Sequence, residues 1–313
     1  MSFTTPILFL VFNRPDTTKK VFESIQELKP LYLYIAADGP REGNTNDEVK
    51  CSEVITILSN INWPCQVATL YRKKNLGCRQ AVSEAITWFF NQVEEGIVIE
   101  DDILPDRSFF QFCADMLDRY RHEQGVMHIA GFNLLGKWKD DRQSYHFSYF
   151  GTIWGWATWR RSWKFYDVNI KHWGNPKIQE KILNTYFPSL YRENRKLLYD
   201  KLYNGEIDTW DYQWTFSRLL QNGLSIIPAR NLTINIGFDS QATHTRFAPE
   251  WAPKKIYTLE PPFIYYNSIA PDKNYETKHL KITNTTKKSL TDKLRYISIG
   301  PLQYLKRRTD FFL

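Results

Sequence analysis

A chain of 313 residues that is 42% hydrophobic and 24% charged, with a mean hydropathy of −0.48, has the composition of a globular protein and argues against an integral membrane protein. Its formal charge of +7 and pI near 9.0 point to an anionic partner: nucleic acid, an anionic lipid surface or a phosphorylated ligand. Cys51, Cys65, Cys78 and Cys113 show no CxxC spacing, which reads as reduced thiols of a cytoplasmic protein.

Pro6 to Phe12 is too short an apolar run for a signal segment or a membrane span, and no other run approaches the ~20 residues a span needs. It predicts a first strand, followed by the turn Asn13-Arg14-Pro15-Asp16 and an amphipathic helix from about Thr17 to Leu28. A second strand, Leu31 to Ala37, ends in Asp38-Gly39-Pro40, and a helix follows around Asp47 to Leu58. Val67 to Tyr71 is a third strand, and after the polar turn Arg72 to Gly77 a helix runs from about Cys78 to Val93. The run Gly96-Ile97-Val98-Ile99 is a fourth, buried strand, and it delivers Glu100, Asp101 and Asp102 together at its C-terminal end.

Strands alternating with helices predict right-handed crossovers and a mostly parallel sheet flanked by helices, an α/β fold. The turns after the strands then share one edge, where open α/β sheets bind ligands. Asn13-Arg14, Asp38-Gly39, Arg72 to Gly77 and Glu100 to Asp102 meet in that cleft. Three adjacent carboxylates repel one another, so they suit either a solvated turn or a site holding a cation or a donor-rich ligand.

Farther on, Pro105 to Tyr120 predicts a helix with Phe109, Phe110, Phe112 and Met116 on its core face, then a strand near Met127 to Gly131. Tyr149 to Trp159 is irregular, aromatic and punctuated by glycine; a helical region continues to Leu202, and Thr209 to Trp214 opens another helix. Leu224 to Pro228 is a strand and Gly237 to His244 a loop of small residues. Residues 1–245 form the expected main domain, in two halves of about 1–125 and 126–245, and residues 246–313 a C-terminal extension. The tail from Lys287 to Leu313 alternates basic and apolar residues, which suits a helix lying on an anionic membrane or one packed on the domain.

In this order and spacing, FNRP, AADG, EDDILPDRSFF, GTIWGW, WDYQW and GFDSQATH resemble the GT-A glycosyltransferases. The likeness, over roughly residues 6 to 245, is to the inverting β-1,2-N-acetylglucosaminyltransferases and to bacterial family-2-like sugar transferases. It implies a Rossmann-like GT-A fold and transfer of a sugar from a nucleoside-diphosphate donor, UDP-linked, to a hydroxyl of a glycan or lipid-linked acceptor. By the resemblance, Asp102 ligates Mn2+ or Mg2+, while Glu100 and Asp101 reach the ribose, the sugar or metal-bound water. Asp38 is where the family places a nucleobase contact, although a plain Asp-Gly turn explains it equally. The base that deprotonates the acceptor maps to Asp211, and because Tyr212 stands where relatives carry a second acid, Asp208 is the alternative.

Phe12, Asn13, Arg14, Asn75 and Arg79 are expected around the donor, with Arg72 and Lys73 nearby and Arg79 the favoured phosphate contact. Trp154, Gly155 and Trp156 are expected to wall the sugar pocket, unless the tryptophans are core; His244 is expected in a loop over the diphosphate. A retaining transferase of the same fold is the first alternative. A sugar nucleotidyltransferase ranks lower, because Phe12-Asn13-Arg14-Pro15 has no glycine-rich phosphate loop. A nucleic-acid-binding protein would fit the charge but gives no reason for three acids at a strand end, so nucleic acid is not an expected partner. The expected location is cytoplasmic, peripheral at the inner face of the membrane through the tail.

Overall fold

The computed structural model describes residues 3–238, 253, 255–265 and 268–284. His244 and the basic tail lie outside the described residues. Strands and helices alternate through the first hundred residues: β1 (Ile7–Val11), α1 (Pro15–Leu28), β2 (Tyr32–Ala37), α2 (Thr45–Leu58), β3 (Gln66–Tyr71), α3 (Gly77–Phe90) and β4 (Glu95–Glu100). Short β5 (Ile103–Pro105) leads to α4 (Arg107–Arg119), β6 (Val126–Ala130), β7 (Tyr145–Ser148) and β8 (Trp156–Trp159). Then come α5 (Arg160–Trp163), α6 (Pro176–Tyr186), α7 (Ser189–Tyr203), α8 (Asp211–Leu220), β9 (Leu224–Pro228), β10 (Thr233–Asn235) and α9 (Lys273–Asn284).

Eight strands form one sheet in the order β3-β2-β1-β4-β8-β6-β9-β7, and β10 pairs with β5 in a separate antiparallel ribbon. The pairs β1–β2, β2–β3, β1–β4 and β6–β9 are parallel. Strand β8 runs against both β4 and β6, and β7 runs against β9. The sheet is therefore mostly parallel, with helices on its faces.

Strand β1 shows why its run is apolar throughout. Ile7, Phe9 and Val11 point into a core with Phe22 and Ile25 of α1 and Phe110 of α4, whereas Leu8 and Leu10 point into a second core with Ile86 and Phe89 of α3 and Trp210 and Trp214 at α8. A strand covered on both faces has no polar alternation to show.

Three expectations are corrected. The irregular aromatic stretch contains β8, a central strand whose residues Trp156, Ala157, Thr158 and Trp159 are all buried; four residues buried on both faces carry no period to read. Helix α4 starts at Arg107, not Pro105, because Pro105 belongs to β5 and the side chain of Asp106 accepts the Ser108 N–H at 2.9 Å as the cap. The helical region before Leu202 is interrupted, with Pro176 opening α6 and Pro188 preceding α7. In the C-terminal extension, Leu259 and Phe263 join the core around α4, and Leu280 of α9 packs with Trp173, Tyr199 and Phe216.

Candidate active site

The parallel strands release their chains at one edge, and a cavity of about 770 Å3 opens there. Phe12 and Arg14 after β1, Asp38 after β2, Arg72 and Asn75 after β3, and Glu100, Asp101 and Asp102 at the end of β4 all line it. On the opposite wall stand Asp208, Asp211 and Tyr212 at the start of α8, and Trp154 ahead of β8. A cavity of this size accommodates a small organic ligand.

The three acids of the β4 end take three different partners. Asp101 is 8% exposed and accepts the Phe12 N–H at 3.0 Å, tying the end of β4 to the end of β1. Asp102 Oδ2 accepts from Arg14 Nη1 at 2.7 Å and from Asn235 Nδ2 at 3.3 Å. Glu100 Oε1 is shielded from solvent and has no hydrogen-bond partner. Burial raises all three carboxyls above the usual range, and neighbouring charge adds to the effect on Glu100 and Asp101. Asp101 reaches about 7; Glu100 also feels the charges of Asp102, Asp101 and Asp211, with Arg14 opposing. The edge therefore holds more desolvated negative charge than its own guanidinium offsets.

Asp38 organises the turn after β3. It accepts from Asn75 Nδ2 at 2.8 Å, from the Leu76 N–H at 3.1 Å and from the Gly39 N–H at 3.0 Å, and burial still raises its carboxyl. Asn75 also donates to Gly39 O at 3.0 Å, so two turns are fastened into one floor. Glycine at 39 is required by proximity, since a Cβ there would lie 2.5 Å from the Lys74 backbone nitrogen.

Asp211 is the first residue of α8 and its Oδ1 accepts the Thr209 hydroxyl, which fixes the carboxylate's orientation. The start of α8 is fixed in turn by tryptophan packing: Trp210 stacks on Trp156 at 5.7 Å, and Trp214 donates to His128 Nδ1 at 3.2 Å.

Several residues singled out in the sequence are placed elsewhere. Trp156 is fully buried and Gly155 is a turn residue with φ +70° whose carbonyl accepts the Gly131 N–H, so Trp154 alone of that trio lines the cavity. Asn13 donates to Asp47 at 2.7 Å instead of facing the cavity; Arg41 also binds Asp47, whose carboxyl falls to about 2. Arg79 points away, donating to Val168 O at 3.1 Å and Asn169 Oδ1 at 2.6 Å. Asp208 lines the cavity while accepting the N–H groups of Cys78 and Arg79 at 3.2 and 3.1 Å, so it caps α3 from across the cleft. Gly77 makes room for it: a Cβ there would sit 2.9 Å from Asp208 Oδ2.

Sequence reasoning missed Asn235 and the place of Gly237. Pairing of β10 with β5 sets Asn235 opposite Ile103, next to Asp102, and a Cβ on Gly237 would collide with Asp102 and Arg14. Asn235-Ile236-Gly237 was the available signal, an Asx turn in which Asn235 Oδ1 accepts the Gly237 N–H at 2.7 Å. Arg195 of α7 and His279 of α9 also line the cavity, and nothing in their local sequence marks them.

No family model and no curated protein matches the chain. Among solved structures it is similar to apo mouse xyloside xylosyltransferase 1, with 9% identity and a TM-score of 0.36 over 68% of this chain and 80% of that one. It is also similar to a UDP-glucose pyrophosphorylase complexed with UDP-glucose, with 11% identity and a TM-score of 0.36 over 74% and 92% of the two chains. A third is the 4-diphosphocytidyl-2C-methyl-D-erythritol synthase of Anaerococcus prevotii, with 9% identity and a TM-score of 0.32 over 64% and 84%. Likenesses at this level say nothing of chemistry; the strand order and the cavity speak for themselves.

Proposed function

We propose that the chain is an inverting glycosyltransferase that moves a sugar from a nucleoside diphosphate, UDP-linked, to a hydroxyl of a glycan or lipid-linked acceptor. The observation that carries this reading is that one cavity at the sheet edge holds Asp38, the Arg14–Asp102 pair and Asp211.

In this reading the floor made by Asp38, Asn75 and the Arg72 turn receives the nucleoside, and Arg14 faces the diphosphate, where a guanidinium can donate to two oxygens. Trp154 presents an aromatic wall to the sugar. Asp211, held by Thr209, takes the proton of the acceptor hydroxyl as its oxygen bonds to the anomeric carbon and the bond to the diphosphate breaks on the opposite face.

The donor set fits a hard divalent cation shared with substrate phosphate. Glu100 Oε1 is buried without a partner, and the local excess of carboxylate charge favours a cation. Among the described residues no group of three His, Cys, Asp or Glu side chains is placed to hold a metal ion by itself, so the proposed ion would need phosphate and water to complete its ligands. Asp102 and Glu100 would hold Mn2+ or Mg2+, which would neutralise charge developing on the departing diphosphate.

Among the described residues no helix is long and apolar enough to cross a membrane, and peripheral contact with an anionic membrane through the basic tail remains part of the proposal. The test of the whole is calorimetric titration with UDP in the presence of Mn2+, then donor hydrolysis across UDP-, GDP- and dTDP-sugars. UDP binding lost in Asp102→Ala supports the reading; a protein that binds no nucleoside diphosphate and hydrolyses none of the sugars abolishes it.

A further inference from the structure

The cavity extends past Asp211 to a wall built by α7, α8 and α9, where Arg195, Tyr212, Thr215, His279 and Thr283 meet Phe150. Thr215 stands four residues, about one helical turn, beyond Asp211, roughly 6 Å along the axis of α8. Among the described residues this wall carries a cation with no counter-ion. Arg195 is half-buried, its Nε is shielded from solvent with no hydrogen-bond partner, and no carboxylate among the described residues pairs with it. Its neighbours are treated differently: Lys196 pairs with Asp200 at 2.8 Å, and Lys273 with Glu276 at 3.1 Å. One face of the Arg195 guanidinium rests on the Phe187 ring at 4.9 Å, leaving its donor edge for another partner.

His279 adds an independent observation. It is 9% exposed, lines the cavity, and its Nδ1 is buried without a partner, while its ring stacks on Phe150 at 5.4 Å and 15°. Burial and the Arg195 charge push the imidazole down to about 3, so it stays neutral and offers one donor and one acceptor. Buried polar atoms without partners are uncommon in folded proteins, and here two of them belong to side chains that line the same cavity.

We propose that this wall is an acceptor subsite for a sugar carrying an anionic group, a carboxylate or a phosphate, held by Arg195 with His279 beside it. The inference rests on the glycosyltransferase reading: the anion would lie beyond the hydroxyl presented to Asp211, so recognition of charge would select which sugar is extended. An anionic group gives the Arg195 guanidinium a charge partner that a neutral sugar does not, so the wall favours the charged acceptor.

The test titrates the full chain calorimetrically with glucuronate, glucose 6-phosphate and glucose, each with UDP and Mn2+ present. Tighter binding by roughly tenfold or more for one or both anionic sugars over glucose is expected, as for one charge-assisted hydrogen bond. Which of the two binds tighter identifies the anion as carboxylate or phosphate. In Arg195→Gln the discrimination should collapse, and Arg195→Lys should recover part of it. Equal binding of all three sugars to the wild-type protein overturns the proposal, with no variant required, as does discrimination that persists in a folded Arg195→Gln. UDP is titrated alone as a separate arm: its failure to bind removes the glycosyltransferase reading, whereas UDP binding without anion preference removes only the subsite.

Discussion

The guanidinium of Arg14, from the turn after β1, donates to the Asp102 carboxylate at 2.7 Å, joining residues 88 positions apart whose side chains are 15% and 17% exposed. A largely desolvated pair loses most when one member is removed alone. Arg14→Ala and Asp102→Asn are each expected to weaken UDP binding in Mn2+ at least tenfold. Together they should fall short of the sum, with a coupling on the order of 1–3 kcal/mol. Strict additivity in the calorimetric cycle would show that the two act separately.

Asp211→Asn keeps the shape and the Thr209 hydrogen bond but removes the proton acceptor. The turnover rate should fall by about 10²–10⁴-fold with the donor KM within a few-fold of wild type. Steady-state kinetics with any donor found in the hydrolysis screen provides the check, and unimpaired transfer would disqualify Asp211 as the base.

Gly237→Ala places a methyl group against Asp102 and Arg14. Loss of UDP affinity by more than about tenfold, with the far-ultraviolet circular dichroism unchanged, is the expected outcome. A variant that binds UDP normally would mean that the donor does not use this pair.

Asp208 acts on the fold by capping α3 from the opposite wall. Asp208→Ala should cost about 1 kcal/mol in urea unfolding and Asp208→Asn less, because the amide oxygen still accepts. A cost no larger than the scatter of the unfolding curves would remove the cap assignment.

His146 of β7 is 2% exposed, and neither ring nitrogen has a hydrogen-bond partner. Burial lowers it to about 3, whereas in the unfolded chain it titrates near 6.5. Below the unfolded value the unfolded chain takes up the proton first, so stability present above about pH 6.5 is lost as the pH falls towards 3. His279 and His128 act in the same direction. His146→Phe should flatten the acid limb by about 1.4 kcal/mol per pH unit. Chemical denaturation at pH values from 4 to 7.5 measures that slope, and parallel limbs would contradict the assignment.

The first hundred residues were legible because β1 and the middle of β4 are apolar runs and each strand is followed by a polar turn. Ile7 to Phe12 and the run ending at Glu100 announce both a buried strand and the residues it delivers. Beyond residue 130 that signal fails for physical reasons. Strand β8 has four residues, all buried, and its two tryptophans look the same whether they line a pocket or fill a core. Arg195 and His279 reach the cavity through helix packing that links residues 84 positions apart in the chain, which no local pattern encodes. Arg79 stands near a helix start, as its position suggests, but its side chain donates to Asn169 Oδ1 at 2.6 Å, a partner 90 residues away that no local pattern announces.

Strand β8 enters the sheet in reverse, between β4 and β6. A reversed strand brings its incoming segment, not its outgoing one, to the edge where its parallel neighbours end, so Gly151, Thr152, Ile153 and Trp154 form a wall of the cavity. The two sides of the cleft are therefore separately adjustable: changes in the segment ahead of β8 reshape one wall while the strand ends that carry Asp38 and Asp102 stay in register. A scaffold with that division can remodel one wall of its cavity without disturbing the other.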